Sequence, residues 1–217
     1  MTLELFAHPF SSYCQKALIA FYENDIPFTY RMMEDAGVGE ELASLWPMKK
    51  FPILRDGGRV ILEASIIIEH LHVQYPGPVR LIPNDPDRAV EVRMLDRFLD
   101  NYVMSPQQKF VSDALRPHED RDPFGLEEAR KMLETSYAWL DQRMNGRTWA
   151  VGETFTLADC AAAPSLFYAD WTHRIPERYK HLSDYRTRLL ERPSFARSVD
   201  EARRFRHYFP LGAPDRD

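Results

Sequence analysis

The sequence is poor in cysteine: 217 residues hold two, Cys14 and Cys160. Two thiols cannot build a disulfide framework, which fits a reducing compartment, and we expect a cytoplasmic protein. Long apolar runs are missing as well. No stretch nears the roughly 18 residues that cross a bilayer, so no membrane partner is expected. The opening Met-Thr-Leu-Glu-Leu-Phe has no basic segment followed by an apolar one, and no signal peptide is expected. Nor is there an excess of positive charge. Lys and Arg total 28 against 33 Asp and Glu, a formal net charge of −5, which argues against nucleic acid as a partner. The basic stretch Arg197, Arg203, Arg204, Arg206 and His207 includes Asp200 and Glu201 and reads as a solvated helix face. The seven histidines show no metal-ligand spacing. His70 and His72 lie two apart, on different faces of a helix, and no metal site is expected.

What is present is an ordinary globular composition, 44% hydrophobic and 12% aromatic. Leu3 to Ala7 is a short apolar run ending at His8-Pro9 and predicts a buried strand. Ser11 and Ser12 are helix-capping types, and Ala17, Leu18, Phe21 and Tyr22 follow at helical spacing up to Asn24-Asp25. Pro27 to Tyr30 predicts a second strand, so the opening is a strand–helix–strand unit with a right-handed crossover. Phe51 to Leu54, the turn Asp56-Gly57-Gly58 and Arg59 to Leu62 predict a hairpin, and Ala64 to Val73 a helix. Prolines then cluster between Tyr75 and Pro86, the mark of a semi-rigid linker and a domain boundary. Beyond it the pattern is helical: Leu95, Phe98, Leu99, Tyr102 and Val103, then Ala129 to Met144. Ser105-Pro106 should end or kink the first of these helices.

Four constellations could carry chemistry. Ser11-Ser-Tyr-Cys14 has the spacing of a Cys-x-x-Cys redox motif, with serine at the outer position where an attacking thiolate would sit. Ser11 could cap the helix, or donate a hydrogen bond to a thiolate that belongs to a ligand. Phe51-Pro52 precedes an apolar strand and is either an ordinary loop or the site of a cis peptide. Glu63 precedes a helix start; it either serves the helix dipole or receives a ligand ammonium while the first N–H groups take a carboxylate. Thr156 and Asp159 form a capping box ahead of an apolar helix, a structural device, and Cys160 among alanines reads as inert core.

In order and spacing these segments resemble the cytosolic glutathione transferase family over essentially the whole chain, and within it bacterial members with a serine-type active-site motif. The resemblance implies an α/β thioredoxin-like N-terminal domain (residues 1–77), a linker (78–87) and an all-α C-terminal helical bundle (88–217). It implies glutathione as co-substrate, with Ser11 facing the sulfur. The backbone before Pro52, with Lys50 and Phe51, would pair with the cysteinyl part. Glu63 and Ala64 match the Glu-Ser pair that holds the γ-glutamyl end. Ala64 departs from that pattern, and Ser65 is the neighbouring hydroxyl that could compensate. The implied reaction is conjugation or dehalogenation of a small hydrophobic electrophile, as in detoxification. Phe10, Tyr102 and the region Met104–Phe110 would wall an apolar cleft. Family members are usually homodimers. Alternatives are glutathione-dependent isomerisation, thiol transfer or peroxidase activity, and a non-catalytic binding protein on the same fold, as stringent-starvation relatives are with RNA polymerase.

Overall fold

The computed structural model describes residues 3–217. Its elements run β1 (Leu3–Ala7), α1 (Ser12–Glu23), β2 (Phe28–Met32), α2 (Val38–Leu45), β3 (Ile53–Asp56), β4 (Arg59–Leu62) and α3 (Ala64–Gln74). The helical part follows as α4 (Pro86–Leu99), a π-helical turn (Asp100–Met104), α5 (Ser105–Ala114), α6 (Pro123–Met144), α7 (Leu157–Thr172), α8 (Lys180–Glu191) and α9 (Pro193–Ala202). A 3-10 segment, Arg203–Tyr208, leads to the C-terminal residues.

The sheet order is β2-β1-β3-β4. β1 pairs parallel with β2 through the α1 crossover, Leu5 opposite Tyr30, and antiparallel with β3, Leu5 opposite Leu54. Apart from Glu4, which pairs with Arg31 and Arg55, its residues are apolar because both faces are covered. Leu5 joins the large core that runs through α1 and α3 into α4 to α8. Phe6 turns the other way, onto Ile53, Val38 and Leu42. Those last two belong to α2, an eight-residue helix that the sequence reading did not anticipate.

The proline-rich linker is pinned through Val79 and Leu81. Asn24 accepts from the Val79 N–H and donates to the Val79 carbonyl, and the Leu81 carbonyl accepts from the Leu157 N–H. Leu81 and Ile82 are buried. Ser105-Pro106 does not end the helix before it. The Ser105 N–H reaches back five residues to the Asp100 carbonyl, so the turn before Pro106 is widened. The Tyr102 carbonyl, which a proline four residues on deprives of its partner, accepts instead from the Ser136 hydroxyl of α6 at 2.8 Å. The helix therefore runs on.

Candidate active site

A cleft of about 840 Å³ opens between the two domains. At its floor the α1 N-terminus is capped by Ser11, in extended backbone, whose Oγ accepts from the Cys14 N–H at 3.4 Å. Capping uses the oxygen only as an acceptor and leaves the hydroxyl proton free to be donated into the cleft. Cys14, one turn in, is fully buried, and its Sγ accepts from the His8 N–H at 3.5 Å. Burial pushes its thiol up to about 12. It is packed sulfur, not a nucleophile.

Two further segments bring backbone to the same cleft. Phe51-Pro52 is a cis peptide, and Lys50, Phe51 and Pro52 all line the cavity. Glu63 holds φ at 69°, a left-handed conformation costly for a residue with a Cβ, and turns the chain sharply from β4 into α3. Its carboxylate is exposed and makes no hydrogen bond among the described residues, and no side chain caps the first N–H groups of α3. The α3 start thus offers a free carboxylate beside unsatisfied donors, complementary to an amino-acid zwitterion.

Ser65 is placed differently. Its Oγ accepts from Lys16 Nζ (2.9 Å) and Arg97 Nη2 (2.6 Å) and donates to Asp96 Oδ2 (2.8 Å). This is one corner of a buried ion cluster in which Lys16, 1% exposed, lies 2.6 Å from Asp96 and 2.8 Å from Asp100. The hydroxyl is therefore consumed beneath the cleft, not presented to it, and does not replace the one that Ala64 lacks. Burial raises the Asp100 carboxyl above the usual carboxylate range against the pull of Lys16. Arg97 and Asp100 also rim the cleft next to Glu63. Tyr13 lies near them, pushed up to about 12 by burial and by the Asp100 charge, and stays a neutral donor.

The structure gathers Ser11, Lys50, Phe51, Pro52, Glu63 and Ala64 around one cavity, with Phe10 on the wall. Tyr102 points away: it is 46% exposed and packs on Phe98. Met104 and Phe110 are buried in the core, while Gln107 and Gln108 between them line the cleft. Sequence reasoning missed Arg97 and Asp100. The signal was a pair of carboxylates, Asp96 and Asp100, set four apart beside the apolar Leu95 and Leu99, where an inward charge needs a partner. It also missed Tyr208, Phe209 and Pro210, which close the cavity from the far end of the chain. Nothing local marks them.

Two family models match: the glutathione S-transferase N-terminal domain over residues 5–79 and the glutathione S-transferase C-terminal domain over residues 103–193. Among curated relatives, glutathione S-transferase U25 of Arabidopsis thaliana is 25% identical over 209 residues, 92% of this chain and 90% of that protein. The stringent starvation protein A homolog of Coxiella burnetii is 25% identical over 202 residues, 92% of each chain. A crystal structure of a glutathione S-transferase from Methylobacterium radiotolerans, in complex with glutathione sulfonate, superposes with a TM-score of 0.79. It is 26% identical, over 92% of this chain and 95% of that one. With both domain models matched in order, each on its own half of the fold just described, the chain belongs to the glutathione S-transferase family.

Proposed function

We propose that the protein binds glutathione in the interdomain cleft and activates its thiol at Ser11 for attack on a small electrophile. The observation that carries this reading is the free Ser11 hydroxyl at a helix N-terminus, facing a cavity whose other end offers the Glu63 carboxylate and the α3 amides. An extended γ-glutamyl tripeptide laid between them has its sulfur at Ser11 and its zwitterion at Glu63. Lys50, Phe51 and Pro52 then flank the cysteinyl backbone, and Ala64 and Ser65 contribute backbone amides only.

The energetics close without a general base. A cysteine thiol has a pKa of about 8.5, and lowering it by about two units takes about 2.7 kcal/mol of preference for the thiolate. A hydrogen bond from a hydroxyl to a charged acceptor contributes about 1.5–3 kcal/mol. The helix N-terminus adds about 0.3–1 kcal/mol. Thiol exchange through the protein's own sulfur is disfavoured, because Cys14 is sealed and its thiol held high. The likeness to the stringent starvation protein A homolog, together with Ala64, favours a second reading in which the fold binds a partner without catalysis.

Calorimetry with glutathione separates the two. Glu63→Ala should abolish binding at millimolar glutathione, and Ser11→Ala should retain it. Ser11→Ala should also lower kcat/KM at neutral pH by about 10- to 100-fold, the equivalent of the lost charge-assisted bond. Native protein that binds no glutathione would leave the partner-binding reading; an unchanged pH–rate profile in Ser11→Ala would reduce Ser11 to a cap.

A further inference from the structure

Ser11 can act on a sulfur only if the turn that carries it holds still, and the polar groups of that turn are all engaged. From Pro9 to Ser11 the backbone carries two N–H groups and three carbonyls, proline having no N–H. The Phe10 N–H donates to His8 Nδ1 at 3.1 Å, and the Ser11 N–H to the His8 carbonyl at 3.0 Å. The Ser11 carbonyl accepts from the Gln15 N–H at 2.9 Å, an ordinary first bond of α1. The other two carbonyls are held by side chains. Gln15 Nε2 donates to the Pro9 carbonyl at 2.9 Å and to Tyr168 Oη at 3.3 Å. The Tyr168 hydroxyl in turn donates to the Phe10 carbonyl at 3.1 Å. Tyr168 belongs to α7, so the C-terminal domain grips the serine turn of the N-terminal domain. Its ring stands edge-on to Phe10, centroids 5.6 Å apart. Burial raises its hydroxyl far above the ordinary phenol range, so it stays protonated and able to donate.

Stability alone would not select this arrangement. Gln15 is 0% exposed, as are Cys14, Ala17, Leu18 and Ile19 beside it on α1. Turning its amide over would set oxygen against the Pro9 carbonyl, so the Oε1 is left buried, without a donor among the described residues. An unpaired buried acceptor is destabilising, and an apolar side chain would avoid it. What the amide secures is the direction of the two carbonyls that precede Ser11. Resting on the thiol-activation reading above, we propose that Gln15 and Tyr168 are positioning residues for Ser11. They lock the turn so that the hydroxyl proton points at the glutathione sulfur, and the C-terminal domain thereby takes part in activating the thiol. With the clamp undone, Ser11 donates to the thiolate for only part of the time, and the bound thiol ionises at higher pH.

The test titrates the thiol of bound glutathione through the ultraviolet absorbance of its thiolate. Native protein is compared with Tyr168→Phe, Gln15→Leu and Ser11→Ala. Binding of S-methylglutathione, which has no thiol to ionise, reports separately on the affinity of the site. Tyr168→Phe keeps the ring on Phe10, so its folding is not at risk. Both clamp variants should raise the midpoint by about one pH unit, about a tenfold loss of thiolate at neutral pH. S-methylglutathione should bind them within about twofold of native protein, a split that a merely structural role would not produce. A native midpoint in either clamp variant, or a rise accompanied by lost S-methylglutathione binding, overturns this inference; a raised midpoint in Ser11→Ala then leaves the Ser11 reading standing. An unshifted midpoint in Ser11→Ala overturns that reading and this inference with it.

Discussion

At the scale of single residues, His8 shows how position next to the site sets protonation. It follows β1, its Nδ1 accepts from the Phe10 N–H at 3.1 Å, and its ring packs edge-on to Phe205 at 4.5 Å. Burial lowers its pKa below the usual histidine value, against the pull of Glu34 at 3.8 Å. The sign follows directly. The unfolded chain protonates near pH 6.5, while the folded chain resists until lower pH, so stability is full above that value and is lost as pH falls toward the folded pKa. His8→Asn keeps an acceptor for Phe10 but has no proton to gain. Urea unfolding at pH 7.5 and 5.5 should show a smaller loss for the variant than for native protein; equal losses would mean that His8 remains accessible to protons. His72, lowered by burial in the same direction, supplies a residual slope in both.

At the scale of elements, the capping box before α7 is the sharpest case. From Leu157 to Asp170 every residue of that helix is buried, so its first turn cannot rely on water to satisfy its donors. The Leu81 carbonyl takes the Leu157 N–H and the Thr156 side chain takes the Asp159 N–H, while the Asp159 carboxylate ties the turn to its surroundings. That carboxylate accepts from the Thr156 N–H and hydroxyl, from the Ala150 N–H at 2.8 Å and from the Tyr185 hydroxyl at 2.6 Å. Asp159→Ala would leave several buried donors unmet, at about 1–3 kcal/mol each, and we expect a loss of at least about 3 kcal/mol in denaturant unfolding. Thr156→Ala removes one cap and should cost about 1 kcal/mol. The opposite ranking would show that the carboxylate does not organise this turn. The box was readable in the sequence, as were β1, the start of α1 and the β3–β4 hairpin, because each is specified by residues near one another. α2 was not. Its apolar positions, Val38, Leu42 and Leu45, span just two turns behind a glycine, and what holds them is Phe6 on a strand thirty residues earlier. The widened turn before Pro106 was equally hidden, since the carbonyl it frees is satisfied from α6. The candidate site divides the same way. Ser11, Phe51-Pro52 and Glu63 stand at chain turns with local signatures, whereas Arg97, Gln107 and Tyr208 reach the cleft through helix packing.

At the scale of the whole molecule, one face is left incomplete. Val60 of β4, Ile66 and Val73 of α3, and Val90 and Met94 of α4 are all substantially exposed, Ile66 at 53% and Met94 at 42%. Arg93 and Glu69, 2.7 Å apart, tie α3 to α4 in their midst. Apolar side chains gathered around an ion pair, on a face that water would otherwise wet, are suited to cover by a second copy, in line with the homodimer implied by the family resemblance. The core does not depend on that partner. It runs continuously from Leu5 through α1 to α7 within one chain, so a separated subunit should stay folded. Ile66→Glu with Met94→Glu would set like charges against each other across a two-fold interface and add to the acidic balance of the chain. In sedimentation velocity at micromolar concentration the native protein should run near twice its 25.4 kDa chain mass. The double variant should run as a monomer with an unchanged far-ultraviolet circular dichroism spectrum. A native monomer, or a variant that still pairs, would show that these side chains are ordinary surface. A variant that loses its helical signal would show that α3 and α4 need the second copy in order to fold.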